Sequence, residues 1–286
     1  MTAIKHTLYV VATPIGNRDD LSGRAIKTLN ECQCIYAEDT RHSRPLLQYH
    51  GIETPLRSLH EHNEAARANA IVSQLQTNGS VAIISDAGTP LISDPGYRIV
   101  RACQDVGIPV SPIPGASALI SALSVAGVAT DRFLYAGFPP SRSVARVAWL
   151  SEFADQTHTV VLYESPHRIL ASLGDIVQVF GPTREMTLAR ELTKRFETVI
   201  RASTEEVLRL LNQDAQQQRG EFVLVIAGKN DRLATPPAQT EIAALLQTLL
   251  KHMPLKTAAK VASELTGAPR KLVYDVGVGL NNRRDD

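Results

Sequence analysis

Apolar and polar positions along the chain switch repeatedly between short β-branched runs and stretches with a helical period. The runs at residues 7–13 (Thr-Leu-Tyr-Val-Val-Ala-Thr), 33–37, 55–59, 81–84 and 109–112 predict five strands. Between them lie helical patterns. One runs through about Glu31, capped by Asp20 or Ser22, and one spans Glu64 to Thr77, striped by Ala65, Ala68, Ile71, Val72 and Leu75 and capped by Asn63. Two more cover Tyr97 to Val106 and an apolar stretch ending at Ala126. Strands and helices alternating in this way predict a five-stranded α/β domain over residues 1–130.

The second half follows a different rhythm. Phe133–Phe138 opens it, and Pro139-Pro140 with Arg142 and Arg146 predict an exposed loop followed by a helix reaching about Phe153. Further strands fall at 159–163, up to 189–194, at 197–202 and at 221–227, with helices at 167–180 and from Thr204. Strands that follow one another without an intervening helix predict a mixed sheet, here in a domain over 131–232. The remainder, 233–286, carries a Pro-Pro break and two apolar-striped helices around Ile242–Leu249 and Leu255–Leu265. It reads as a helical tail of helix-turn-helix type, with Lys256, Lys260, Arg270 and Lys271 on a solvated face.

Composition narrows the partners. With 286 residues, 44% hydrophobic and 21% charged, the chain has room for two medium domains. A formal net charge of +1 supplies no bulk attraction to nucleic acid, so any RNA contact must come from local clusters of Arg and Lys. Cys32, Cys34 and Cys103 form neither an even disulfide set nor a C-x-x-C pair, which fits a reducing compartment. With no leader pattern and no run of membrane-spanning length, the expected location is the cytoplasm, with no membrane partner.

Candidate chemistry gathers at the carboxyl ends of the predicted strands. After Val81–Ile84 comes Ser-Asp-Ala-Gly-Thr-Pro-Leu-Ile-Ser-Asp-Pro-Gly, residues 85–96, with Asp86, Asp94, Gly88, Gly96, Pro90 and Pro95. Any one Asp-Pro-Gly is a common turn. The whole stretch at a strand-to-helix junction marks a ligand loop of an open α/β sheet. Pro14-Ile15-Gly16-Asn17 occupies the same position after the first strand, where Gly16 lets the turn pass close to a ligand. Glu38-Asp39-Thr40-Arg41-His42 is either a capped helix start, with Asp39 or Thr40 as the cap, or a chemical cluster. His60-Glu61-His62-Asn63-Glu64 is dense in groups able to move protons. His60 and His62 alternate across an extended chain and do not have the spacing of a metal pair, so no metal is expected. Gly115, Ala116 and Ser117 leave the backbone NH groups of a helix start uncovered.

The 85–96 stretch resembles the signature of the bacterial small-subunit (16S) ribosomal RNA (cytidine-2'-O)-methyltransferases of the RsmI type, within the tetrapyrrole methylase superfamily of S-adenosylmethionine enzymes. Matching blocks follow in order along nearly the whole chain: Thr13–Asn17, Ala37–Arg41, Tyr163-Glu164-Ser165, Ala189-Arg190-Glu191-Leu192 and Gly220-Glu221-Phe222. The resemblance implies two α/β domains of the class III methyltransferase type with the cofactor cleft between them, plus the helical tail. By it, Pro14, Asp86, Ala87, Gly88, Asp94, Gly115, Ala116 and Ser117 surround S-adenosylmethionine from the first domain, beside Gly16 and Pro95 of the same loops. Tyr163, Ala189, Glu191 and the strand at Gly220 close over it from the second. The implied substrate is the small ribosomal subunit or its RNA, and the implied assembly a homodimer. Small-molecule members typically carry G-x-G-x-G-D after the first strand. Thr13-Pro14-Ile15-Gly16-Asn17 departs from that pattern, which counts against a porphyrin-type substrate.

A ribose hydroxyl is a poor nucleophile until its proton is being removed, so a base is useful. The candidates are Glu38, Asp39, His60, His62 and Glu191, with the His60–Glu64 segment favoured, and Arg41 and Arg190 are expected to contact substrate phosphate or carboxylate. Two other classes fit less well. A small-molecule methyltransferase shares the cofactor cleft, while a non-catalytic ribosome assembly factor leaves the 85–96 and Gly115 loops without a purpose.

Overall fold

The computed structural model describes residues 6–77, 79–229, 239–266 and 268–282. The chain divides after Gly228 into two compact units. Within the first, β1 (Leu8–Val11), β2 (Cys34–Ala37), β3 (Leu56–Ser58), β4 (Val81–Ile84) and β5 (Val110–Ile113) form a sheet of order β3-β2-β4-β1-β5. Every pairing in it is parallel. The connecting helices are α1 (Gly23–Glu31), α2 (Thr40–Tyr49), α3 (Glu61–Thr77) and α4 (Tyr97–Asp105).

The sheet is covered on both faces, which is why β2 and β4 read as unbroken apolar runs. Ala82 and Ile84 pack with Leu29 and Ile35 on one side, and Val81 and Ile83 with Ile71 and Ile99 on the other. Strand order changes direction between β1 and β4. Their carboxyl ends therefore flank the crevice where doubly wound sheets receive ligands.

A second sheet follows α5 (Ala118–Val125). It contains β6 (Phe133–Gly137), β7 (Thr159–Glu164), β8 (Glu185–Arg190), β9 (Thr198–Ser203) and β10 (Phe222–Ile226), in the order β6-β7-β10-β8-β9. Only β6 and β7 pair parallel, so the sheet is mixed as the pattern predicts. Helices α6 (Ser143–Ser151), α7 (Ile169–Phe180) and α8 (Thr204–Gln213) contribute Leu150, Leu173 and Leu211 to the core on one face, against Val160, Leu162 and Leu224. The opposite face carries Val161, Ala189, Val223 and Val225, which pack against Leu119, Ala122 and Leu123 of α5 and against Ile15. This shared apolar layer makes one unit of the two sheets.

Three local expectations change. Helix α3 begins before Asn63, which caps it from inside the first turn: its Oδ1 accepts from the His60 backbone N–H at 3.0 Å. Arg146, expected near an exposed loop, is 2% exposed, because it lies on the inward side of α6. Its Nε donates to Asp175 Oδ2 of α7 at 2.6 Å, and its Nη1 to the carbonyls of Pro140 and Ser141. The tail holds a third helix, α11 (Arg270–Asn282), after α9 (Gln239–Leu249) and α10 (Leu255–Thr266). Gly277 and Gly279 lower its helical propensity. A Cβ at Gly277 would collide with Leu255 Cδ1, so this glycine lets α11 cross α10 closely. Ile242, Leu246, Ala258, Ala262 and Val273 form the tail's own core. No helix among the described residues is long and apolar enough to cross a membrane.

Candidate active site

The loop after β4 is fixed by the loop after β1. Thr13 N–H donates to Gly88 O at 2.8 Å and Gly88 N–H to Thr13 O at 3.0 Å, while Thr13 Oγ1 donates to Ser85 O. Thr89 Oγ1 donates to Ala116 O at 3.1 Å, tying the same loop to the start of α5. Leu91 and Ser93 adopt left-handed conformations at φ 73° and 66°, each costing about 1 kcal/mol or more, and Gly96 has φ 129°. The strain is held from both ends. Ser93 Oγ lies 2.6 Å from Tyr135 Oη of β6, and Glu64 Oε1 of α3 accepts from the N–H groups of Gly96 and Arg98 at 3.1 and 2.7 Å.

These loops enclose a cavity of about 430 Å³ between the two sheets. Of the expected cofactor residues, Asp86, Ala87, Gly88, Asp94, Ser117, Tyr163 and Ala189 line it. Thr89, Ile92, Phe138, Glu164, Leu192 and Val223 line it as well and were not singled out as contacts. Their signal was present for Glu164, Leu192 and Val223, which belong to or adjoin the blocks at 163–165, 189–192 and 220–222. Tyr135 and Phe138 pack edge-on against Tyr163. Tyr163 Oη accepts from the Leu119 N–H at 3.0 Å, joining β7 to α5 across the cleft.

Of the four candidate bases whose side chains are described, Glu38, Asp39, His60 and Glu191, only Glu38 lines this cavity. Burial raises its carboxyl above the usual range, and the charges of Asp94, Asp86 and Asp39 raise it further. Burial also pushes Asp94 up to about 6, against a smaller lowering by the Ser85 hydroxyl and with a further push from Asp86. Asp86 Oδ1 accepts from the Asp39 backbone N–H at 3.0 Å. None of Glu38, Asp86 and Asp94 is paired with a cation among the described residues.

A second cavity of about 420 Å³ shares Ile15, Asp86, Ala87 and Glu221 with the first, and Pro14, Gly16, Arg18, Arg41, His42 and Lys194 line it. Asp39 caps α2, and its carboxylate accepts from both the backbone and the guanidinium of Arg41, which holds it down to about 2. Within that pentad Asp39 is the helix cap, and Arg41 and His42 stand at a cavity wall.

Other expected residues lie elsewhere. Arg190, expected on substrate, is buried, and its guanidinium donates to the carbonyls of Arg219, Phe196 and Gln216. It staples the turn before β10. Burial pushes Glu191 upward, but the Glu221 N–H, the Lys194 ammonium and the Arg190 charge outweigh it and leave the carboxyl lowered. Glu191 lies outside both linings, as do Pro95, Gly115, Ala116 and Gly220. Gly220, at φ 100°, makes room for Glu191, and a Cβ on Gly115 would stand 2.9 Å from Ala12 Cβ. Gly16 is also a close-packing position, facing Lys194 and Thr193. His60 borders neither cavity, and its Nε2 is 3.0 Å from Asn63 Nδ2. The side chain of His62 lies outside the described residues. Among those described, no group of three or more His, Cys, Asp or Glu is placed to hold a metal ion.

The raised Asp94 carboxyl carries a stability consequence. A folded pKa above the unfolded one favours folding at low pH, and that contribution is lost as pH rises from about 4 through about 6. Asp94→Asn is expected to stabilise the ligand-free protein at pH 7 by about 1 kcal/mol after allowance for solvent screening, and to gain nothing at pH 4. Urea denaturation at the two pH values measures it, and an equal gain at both contradicts it.

Comparison with known proteins agrees with this geometry. Residues 7–208 match the family model described as Tetrapyrrole (Corrin/Porphyrin) Methylases, and residues 236–281 match an RsmI C-terminal HTH domain. A protein of Pseudomonas aeruginosa named ribosomal RNA small subunit methyltransferase I is 48% identical over 94% of this chain and 95% of its own length. A protein of Escherichia coli O157:H7 with the same name is 45% identical over 93% of each. Among solved structures, a diphthine synthase superposes with a TM-score of 0.60 at 13% identity, covering 78% of this chain and 90% of that one. A uroporphyrin-III-C-methyltransferase of Thermus thermophilus gives 0.54 at 19% identity, covering 78% and 94%. At such identities these two speak for the fold alone.

Proposed function

The chain belongs to the tetrapyrrole methylase family, and from that premise we propose that it transfers a methyl group from S-adenosylmethionine to the 2'-oxygen of a cytidine ribose in small-subunit ribosomal RNA. The observation that carries this reading is the cavity of about 430 Å³ at the sheet's switch point, whose three half-buried carboxylates have no cation paired with them among the described residues. A sulfonium cofactor that also bears an ammonium group meets that need. Asp86 and Asp94 would face its positive charge, and Ile15, Ala118, Leu192 and Val223 supply apolar wall for its adenosyl part. When bound, the cofactor supplies an already activated methyl group.

The protein's own residues then have two tasks. The first is alignment. Holding acceptor and donor in line is worth roughly 7 to 11 kcal/mol of barrier, and the bonds from Thr13 to Gly88, Asp39 to Asp86 and Leu119 to Tyr163 keep the walls of the cavity in place. The second is removal of the hydroxyl proton, which we assign to the Glu38 carboxylate because no other candidate base among the described side chains lines the cavity. Arg41 and His42 lie along the adjoining cavity, on the path a nucleotide would take.

Residues 1–130 and 131–232 serve in this reading as the two cofactor-binding lobes and 233–286 as an appended helical tail. The protein works in the cytoplasm as a homodimer. Methyl transfer from labelled S-adenosylmethionine to small subunits from cells lacking the protein, followed by nuclease mapping, tests the activity. Label in one cytidine ribose is the expected result. Cofactor binding without transfer to subunits would move the acceptor to a small molecule, and sedimentation as a monomer would remove the dimer.

A further inference from the structure

A third cavity, of about 500 Å³, opens where the turn Gly16–Asp19 meets the turn Thr193–Arg195. It shares Gly16, Arg18 and Lys194 with the basic cavity beside the cleft, so the three spaces are continuous in their linings. The turns are tied to each other, since the Asn17 N–H donates to Thr193 Oγ1 at 3.1 Å. One guanidinium comes from each. Arg18 stands over the Tyr49 ring and Arg195 over the Phe196 ring, both 5.5 Å from the centroid.

Asp19 also lines this cavity and Glu197 accepts from the Thr193 N–H, yet two of its three cations stand outside ion pairs among the described residues. Lys194 is taken up by Glu191 and Glu221, and the Asp19 carboxylate accepts from Tyr49 Oη at 3.0 Å. Among the described residues no carboxylate forms an ion pair with Arg18 or Arg195. A guanidinium stacked on a ring is held in place with its edge N–H groups still open, an arrangement suited to phosphate oxygens. Tyr49 and Phe196 remain 54% and 62% exposed. Basic groups interleaved with partly exposed aromatic rings grip unpaired strands, whose bases are free to stack, whereas duplex bases are not. A chain of net charge +1 must grip RNA through such local clusters.

On the premise that RNA is the substrate, we propose that this cavity seats single-stranded RNA flanking the methylated nucleotide, with Arg18 and Arg195 on its phosphates, Tyr49 of the lining against one base and Phe196, next to Arg195 just outside the lining, against another. The strand then runs from here past Arg41 and His42 toward Glu38. Its aromatic-lined seat selects an unpaired segment, which sets the structural class of target within the ribosomal RNA.

The test uses the full-length protein and its Arg18→Gln, Arg195→Gln and doubly substituted variants. A short fluorescein-labelled single-stranded oligoribonucleotide is titrated over a range of salt concentrations, alongside the KM for small subunits and the Kd for S-adenosylmethionine. The double variant is expected to raise KM at least about tenfold and to flatten the log Kd against log salt slope by about 1.4, for two phosphate contacts on a single strand. Its S-adenosylmethionine Kd should stay at the wild-type value, which also reports an intact fold. Unchanged KM and slope, with a wild-type enzyme that methylates subunits, would overturn the seat alone. Equal affinity for the same oligonucleotide in duplex form would overturn its single-strand character. A wild-type protein that methylates no RNA would instead remove the premise.

Discussion

Glu38→Gln is expected to lower the single-turnover rate of methyl transfer by roughly 10²- to 10⁴-fold, the range typical for removing a general base. Glutamine keeps the side chain's length and shape but removes one of the three carboxylates offered to the cationic cofactor, so cofactor affinity should also fall and the rate is read at saturating S-adenosylmethionine. Position decides before acidity. Asp39 is held down to about 2 by Arg41, Glu191 is lowered by the Glu221 N–H and then by Lys194, and His60 borders neither of the two cavities at the cleft. Glu38 lies on the wall, and burial together with three neighbouring carboxylates raises its proton affinity. A base works only when unprotonated. The wild-type rate should therefore fall as pH drops through the titration of Glu38, and Glu38→Gln should lose that acid limb. Retention of the limb in the variant assigns the proton to another group.

The parallel sheet was legible because both of its faces are buried. β2 and β4 had to be apolar throughout, and the residues that interrupt the pattern at 38–42 and 85–96 stood out as loops. What pattern could not show was which way a polar side chain at a strand end turns. Arg41 and Arg190 look alike in sequence, each beside an acid at the end of a strand. Arg41 is on the surface with its side chain 90% exposed, while Arg190 is surrounded by carbonyls from residues 196, 216 and 219, contacts that exist only once the turn before β10 has folded back.

Glycines misled in a related way. Gly16, Gly115 and Gly220 do mark close approaches, but what approaches is other protein: Thr193 and Lys194, Ala12, and Glu191. The requirement for a missing Cβ is readable, and its cause is not. Arg146 shows the same limit in a helix, since a cation next to a Pro-Pro turn signals solvent until Asp175, 29 residues later, is known to face it.

Replacing Glu64 with alanine should cost about 2 to 4 kcal/mol of stability and weaken S-adenosylmethionine binding with it. In sequence Glu64 belongs to the segment rich in proton-moving groups. In the fold it is 6% exposed and acts as the missing cap of another helix. Gly96 starts α4 without a side chain of its own to cap it, so the first amides of that helix need an acceptor from elsewhere. Glu64 Oε1 accepts from two of them, Gly96 and Arg98, and its charge lies at the positive end of the helix dipole. Alanine leaves both amides without their acceptor. Hydrogen bonds to a charged group contribute roughly 1.5 to 3 kcal/mol each, and partial access of water to Arg98 reduces the sum. The loop it anchors contains Leu91 and Ser93 in left-handed conformations, so a lost anchor also releases strain that now holds Asp94 against the cavity. Glu64→Gln keeps the acceptor oxygen without the charge and should recover more than half of the loss. Urea denaturation of the two variants, with cofactor titration in parallel, separates the cap from any chemical role. A Glu64→Ala protein as stable as wild type would show that the α4 amides are satisfied by other means, and a Glu64→Gln protein with full stability but no activity would return this carboxylate to the chemistry.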